Sequence, residues 1–149
     1  MDTKVYLDAC CINRLTDDQA QARIRQEAEA VELILRRMRG GAIQWISSDA
    51  LTDEIERNPH IERRLENAAL LALASESIEV NDPIAARAAN LQTAGYGAYD
   101  ALHLACAEAA SVDVLLTTDD DFIRKASRGV GRPRVAVLNP LSWSKENLP

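Results

Sequence analysis

The sequence predicts an α/β fold built on a mostly parallel sheet. Two observations carry that reading: short strand-forming runs alternate with longer helical stretches along the chain, and the composition favours helix. There are 24 alanines against 6 glycines, 5 prolines and 6 aromatics, a balance that argues against an all-β sandwich. With 149 residues, 47% of them hydrophobic and 27% charged, the chain has enough apolar material for one core and too much for a disordered segment. A single domain over residues 1–149 is expected, with about 140–149 forming a C-terminal tail.

Lys4 to Asp8 (KVYLD) is predicted as the first, central strand, because Val5, Tyr6 and Leu7 are strand formers and the run stops at a carboxylate followed by small residues. Thr16-Asp17-Asp18-Gln19 has the form of a capping box, and Ile24, Ala28, Val31 and Leu35 then recur at helical spacing until Gly40-Gly41. Ile43 to Ser47 (IQWIS) reads as a second strand; Ser48 or Asp49 caps a helix running to Asn58, where Pro59 interrupts it. The next helix, from about His60 to Ala74, carries Ile61, Leu65, Ala68 and Ala72 on one side. Ile78 to Val80 is a short strand, and Asp82 is a cap before Pro83 at the first position of a helix that ends near Gly95-Tyr96-Gly97. Ala98 to Ala110 is apolar on almost every side and so reads as a buried central helix. Val114 to Thr118 (VLLTT) is a buried strand running into Asp119-Asp120-Asp121, and Arg134 to Leu138 is the last strand, closed by Asn139-Pro140. Trp143 is the residue expected to dock the tail.

Composition excludes several function classes. No apolar run approaches the roughly 18 to 20 residues that cross a bilayer, and MDTKVYLDAC is too polar and short for a signal peptide, so a cytoplasmic protein with no membrane partner is expected. Cys10, Cys11 and Cys106 cannot all pair, two histidines supply a zinc site poorly, and the cysteines read as buried small hydrophobes. A net charge of −6 argues against coating nucleic acid through bulk electrostatics, but leaves room for an acidic site that acts on nucleic acid through a metal.

Acidic residues at strand ends and on apolar helix faces point to such a site. Asp8 closes the first strand, Asp119 follows VLLTT, Asp100 lies in the first turn of the buried helix, and Glu54 falls between Ala50 and Leu51 on the apolar side of its helix. Taken singly, Asp8 and Asp119 fit turn or helix-capping residues equally well. Four converging carboxylates would repel one another without a counter-charge, and oxygen-only ligands select a hard divalent cation such as Mg2+. Such a centre suits phosphodiester hydrolysis by one or two ions with a carboxylate as general base.

These segments, VYLDACCINRL, SSDALTDEI, YDALHLACAEA and VLLTTDDDF, resemble the motifs of the PIN-domain family, single-domain nucleases of the kind found as VapC-type toxins. The resemblance spans nearly the whole chain and is most specific in the last two segments. It implies a three-layer α/β/α sandwich with a parallel sheet of four or five strands. It further implies Mg2+- or Mn2+-dependent hydrolysis of single-stranded RNA, leaving a 5′-phosphate and a 3′-hydroxyl. Carried over by position, the metal-binding and catalytic acids are Asp8, Glu54, Asp100 and Asp119; Asp121 matches an accessory acid, and Thr117 the hydroxyl residue that supports the fourth acid. Many members have Thr or Ser directly after the first acid and Asn three residues beyond it, where this chain has Ala9 and Cys11; Asn13 is the candidate substitute. An antitoxin protein and a second copy of the chain, as a homodimer, are the implied partners besides RNA, with the helices from Gln19 to Arg39 and from His60 to Ala74 as available surfaces.

Other features admit two readings. The row from Arg124 through Lys125, Arg128 and Arg132 to Arg134 either guides the RNA backbone or is a solvated basic loop. Arg36, Arg37 and Arg39 are explained by the dipole of the helix they end. His103, one turn after Asp100, reads as a hydrogen-bonded core histidine rather than a ligand, and Tyr96 and Tyr99 as packing residues or base-stacking platforms. Two rival functions remain: a PIN-like module that only binds RNA or protein, and a phosphotransfer domain with Asp8 as nucleophile. The second would need a lysine near the phosphate, and the chain has only Lys4, Lys125 and Lys145.

Overall fold

The computed structural model describes residues 3–149. Strands β1 (Thr3–Leu7), β2 (Ile43–Ser48), β3 (Glu76–Ile78), β4 (Val114–Leu116) and β5 (Ala136–Leu138) form one sheet in the order β3-β2-β1-β4-β5, every pair parallel. The helices among the described residues are α1 (Ala9–Asn13), α2 (Ala22–Arg39), α3 (Asp49–Glu56), α4 (Ile61–Leu71), α5 (Asp82–Ala94), α6 (Ala98–Ala109), α7 (Asp120–Ser127) and α8 (Pro140–Asn147). None is long and apolar enough to cross a membrane.

The sheet is covered on both faces, which is why its strands read as continuous apolar runs rather than alternating ones. Val5 and Leu7 point into a layer with Val31 and Ile34 of α2, Leu51 of α3 and Trp143 of α8. Tyr6, Ile46 and Leu115 point the other way, against Leu91 of α5, Leu104 of α6 and Phe122 of α7. The chain leaves central β1 first toward β2 and later returns to its other side as β4. The crevice at such a switch point opens at the carboxyl ends of β1 and β4, where Asp8 and Asp119 follow in sequence.

Several boundaries differ from the sequence reading for identifiable reasons. The residues of the expected capping box do not start α2, whose N-cap is Gln21 with no side-chain bond. Thr16 Oγ1 donates to Asn13 O, and Gln19 Nε2 to Arg14 O and Asp17 O, so they close the turn after α1 instead. Asn81, not Asp82, caps α5 by accepting from Ile84 N. Strand β3 ends at Ile78, because the Val80 N–H is taken by the Asp49 carboxylate, and Arg134 stays outside β5 because its N–H goes to Glu108.

Residues 140–147, expected within a tail, form helix α8, capped by Asn139 with Pro140 in its first turn. Trp143 is buried in the core as the docking residue. The same Asn139 donates from Nδ2 to Glu27, a fully buried carboxylate on α2 that also accepts from Arg14 and Arg23. On α4 the apolar stripe faces outward: Ile61 and Leu65 are 60% and 63% exposed, while Asn67 and Leu71 point inward.

Candidate active site

Asp8, Glu54, Asp100 and Asp119 line one pocket, together with Cys10, Asn13, Ile55 and Asn58. Each acid is delivered by a different element. Asp8 is the N-cap of α1, immediately after β1, and its backbone N–H still joins the sheet through Leu116 O. Its Oδ1 accepts from Ala9 N at 2.7 Å; its Oδ2 accepts from Thr117 Oγ1 at 2.8 Å and from Cys10 Sγ at 3.3 Å. Asp119 is the N-cap of α7, with Oδ1 accepting from Asp121 N and Phe122 N. The capping roles and the convergence are therefore both present, since one carboxylate can cap with one oxygen and face a pocket with the rest.

Thr117 is wholly buried between these two acids, donating to Asp8 Oδ2 and accepting from Asp119 N at 3.1 Å. Glu54 comes from α3 and is held by His103 Nε2 at 2.7 Å. Asp100 lies in the first turn of α6, and no hydrogen-bond donor among the described residues meets its carboxylate. Burial, followed by the charges of Asp8 and Asp119, pushes its pKa up to about 7.

This geometry fits a hard divalent cation. The pocket is lined by acids from four segments, and a half-buried carboxyl that meets no donor among the described residues, its pKa raised by burial and then by neighbouring acids, is what a cation would relieve. Among the described residues the one group of possible ligand atoms within 4.8 Å of one another is Asp8, Glu54 and His103; Asp100 and Asp119 line the same pocket but stand outside that group.

Other sequence expectations are placed differently. Asn13 lines the pocket but does not bond Asp8; its Oδ1 accepts from Asn67 Nδ2 at 2.9 Å. Cys10, read as a buried small hydrophobe, is half-buried and bonds Asp8 instead; it also touches Thr117 Oγ1 and accepts from Thr118 N, each at 3.2 Å. Nothing in the sequence distinguished Cys10 from Cys11, which is buried and donates to Leu116 O. Asp121 is outside the pocket, exposed and paired with Arg124.

The basic row is largely remote from the acids. Helix α7 runs about 12 Å away from Asp119, so Arg128, Arg132 and Arg134 lie at the far end of the sheet. There Arg87 binds the carbonyls of Gly131 and Arg132, and Glu108 the N–H of Arg134. Lys125 donates to Gly95 O. Tyr96 is a packing residue, buried with its hydroxyl on Val130 O, whereas Tyr99 is half-buried at the site, stacked on His103 and donating to Asp53.

The PIN-domain family model matches residues 5–128, and the chain belongs to that family. Among solved structures, VapC20 of Mycobacterium tuberculosis, described as a sarcin-ricin loop cleaving toxin, superposes with a TM-score of 0.59 at 14% identity, over 86% of this chain and 97% of that one. VapBC2 of Rickettsia felis, bound to a DNA fragment from its promoter, gives 0.60 at 14% identity, over 92% and 98%. At that identity the likeness is one of fold. No match was found among curated protein sequences.

Proposed function

We propose that the protein is a metal-dependent endoribonuclease that hydrolyses phosphodiester bonds of single-stranded RNA with Mg2+ or Mn2+, as the toxin of a cytoplasmic toxin–antitoxin pair. The observation that carries the reading is that Asp8, Glu54, Asp100 and Asp119 line one pocket, with the Asp100 carboxyl meeting no donor among the described residues and its pKa pushed up to about 7. The family and the toxins it resembles in fold support it.

In this reading the four acids would hold the cation or cations, whose positive charge would offset that of the phosphodiester and make a water easier to deprotonate. Thr117 and Cys10 fix the orientation of Asp8, and Thr117 ties that acid to the turn carrying Asp119. One of the carboxylates accepts the proton of the attacking water; the products are a 5′-phosphate and a 3′-hydroxyl. The exposed Ile61, Leu65 and Leu73 make the α4 side the surface on which an antitoxin or a second copy would bury apolar area.

Labelled single-stranded RNA incubated with the protein in Mg2+, Mn2+ or EDTA, beside the Asp8→Asn and Asp100→Asn variants, tests the reading. Cleavage that requires metal and both carboxylates is expected. RNA or partner binding without cleavage in either metal would instead make it a binding module.

A further inference from the structure

We infer that His103 is a positioning residue that fixes Glu54 through a buried hydrogen-bond chain starting at Ser48; the inference builds on the nuclease reading above. The imidazole has no exposed surface. Its Nε2 lies 2.7 Å from Glu54 Oε1 and 3.5 Å from Asp8 Oδ1, and its Nδ1 lies 2.7 Å from Tyr6 Oη, which is in turn 2.6 Å from Ser48 Oγ. Tyr99 stacks on the ring at 6.1 Å and Tyr6 packs against it at a tilt, so the ring is flanked by two aromatic side chains.

The direction of the chain follows from chemistry. A ring nitrogen 2.7 Å from a carboxylate oxygen must carry the hydrogen, since a bare lone pair there would be repelled; Nε2–H therefore donates to Glu54. Ser48 Oγ already accepts from Leu51 N as the N-cap of α3. Its own hydrogen is available to Tyr6 Oη, and the Tyr6 hydrogen to Nδ1. In that arrangement neither nitrogen offers a lone pair to a cation, so His103 orients a ligand rather than being one. Glu54 has one oxygen anchored and the other available, and the serine that starts its helix also starts the chain that holds its carboxylate.

The test uses Tyr6→Phe, which keeps the buried ring and removes only the hydroxyl, with His103→Leu and His103→Gln. The first readout needs neither metal nor RNA. Long-range 1H–15N spectra of the metal-free protein should show a slowly exchanging proton on Nε2 of His103, and Tyr6→Phe should perturb it; with only two histidines in the chain, His103→Leu assigns the signal. The second readout is Mn2+ affinity and the kcat and KM for RNA. Tyr6→Phe and His103→Leu should weaken metal binding or kcat by roughly 10- to 100-fold with little change in KM, and His103→Gln, which keeps a donor near Nε2, should recover much of the loss. Absence of the Nε2 proton from the wild-type protein overturns the inference whether or not RNA is cut. Unchanged metal affinity and kcat in Tyr6→Phe and His103→Leu, with cleavage intact, overturns it and leaves the nuclease standing.

Discussion

Replacing Asp100 by Asn should make the metal-free protein more stable while disabling the site. The Asp100 carboxyl meets no donor among the described residues, and its pKa is raised from 3.8 to about 7, first by burial and then by Asp8 and Asp119. Because the folded state holds this proton more tightly than the unfolded chain, stability falls as pH rises from about 4 to about 7 and is flat above. Converted at about 1.36 kcal/mol per unit, the shift sets a ceiling of about 4 kcal/mol. The group is only half-buried, and solvent screening reduces this to about 1–2 kcal/mol. In a chain of this size each kcal/mol moves Tm by about 2–4 °C, so Asp100→Asn should gain about 2–8 °C at pH 8 in EDTA and almost nothing near pH 4. Thermal unfolding followed by circular dichroism at both pH values measures it. Saturating Mn2+ should reverse the order, since the wild type gains binding free energy that the variant lacks. A variant no more stable than the wild type at pH 8 in EDTA would refute the view that burial and the neighbouring acids make the Asp100 charge costly without a cation.

Thr117→Val removes the hydroxyl between Asp8 Oδ2 and Asp119 N; urea unfolding should show a loss of about 1–3 kcal/mol, and Mn2+ titration a weaker site. Trp143→Ala should cost about 3–5 kcal/mol by the same assay, because the indole is buried against the layer formed by α2; a loss below 1 kcal/mol, as for a loosely attached tail, would contradict that packing.

The fold was legible because its signals were local and consistent. KVYLD, IQWIS and VLLTT are runs that only a sheet covered on both faces would tolerate, and Gly40 and Gly95 end the helices they were expected to end. What stayed hidden depended on partners distant in sequence. Thr16 to Gln19 has the form of a capping box, but its side chains are claimed by Asn13, Arg14 and Arg63. The α4 stripe has the periodicity of a core face, yet periodicity cannot say whether the chain itself covers that face. The acids could be found because each was an anomaly in an apolar setting. Cys10 could not, since a cysteine beside a strand end is unremarkable until Thr117 and Thr118, more than a hundred residues away, close around it. Most of the basic row stands farther from Asp119 than its adjacency in sequence suggests, because α7 intervenes.

The acids also differ in what else they hold, and that decides which substitutions separate chemistry from folding. Asp8 and Asp119 cap α1 and α7 with one oxygen each, so their replacement by Ala should cost about 0.5–2 kcal/mol in addition to any loss at the site. Asparagine keeps a side-chain oxygen able to cap, so Asp8→Asn preserves the cap of α1, while its amide group meets the Thr117 hydroxyl and Cys10 thiol that donate to Asp8 Oδ2. Asp100 caps nothing and accepts no hydrogen bond from the described residues, so for it the charge is the whole contribution. If Asp8→Asn, Asp119→Asn and Asp100→Asn all lost cleavage while only Asp100→Asn gained stability without metal, the carboxylate that contributes least to the fold would be the one retained at a cost for its chemistry.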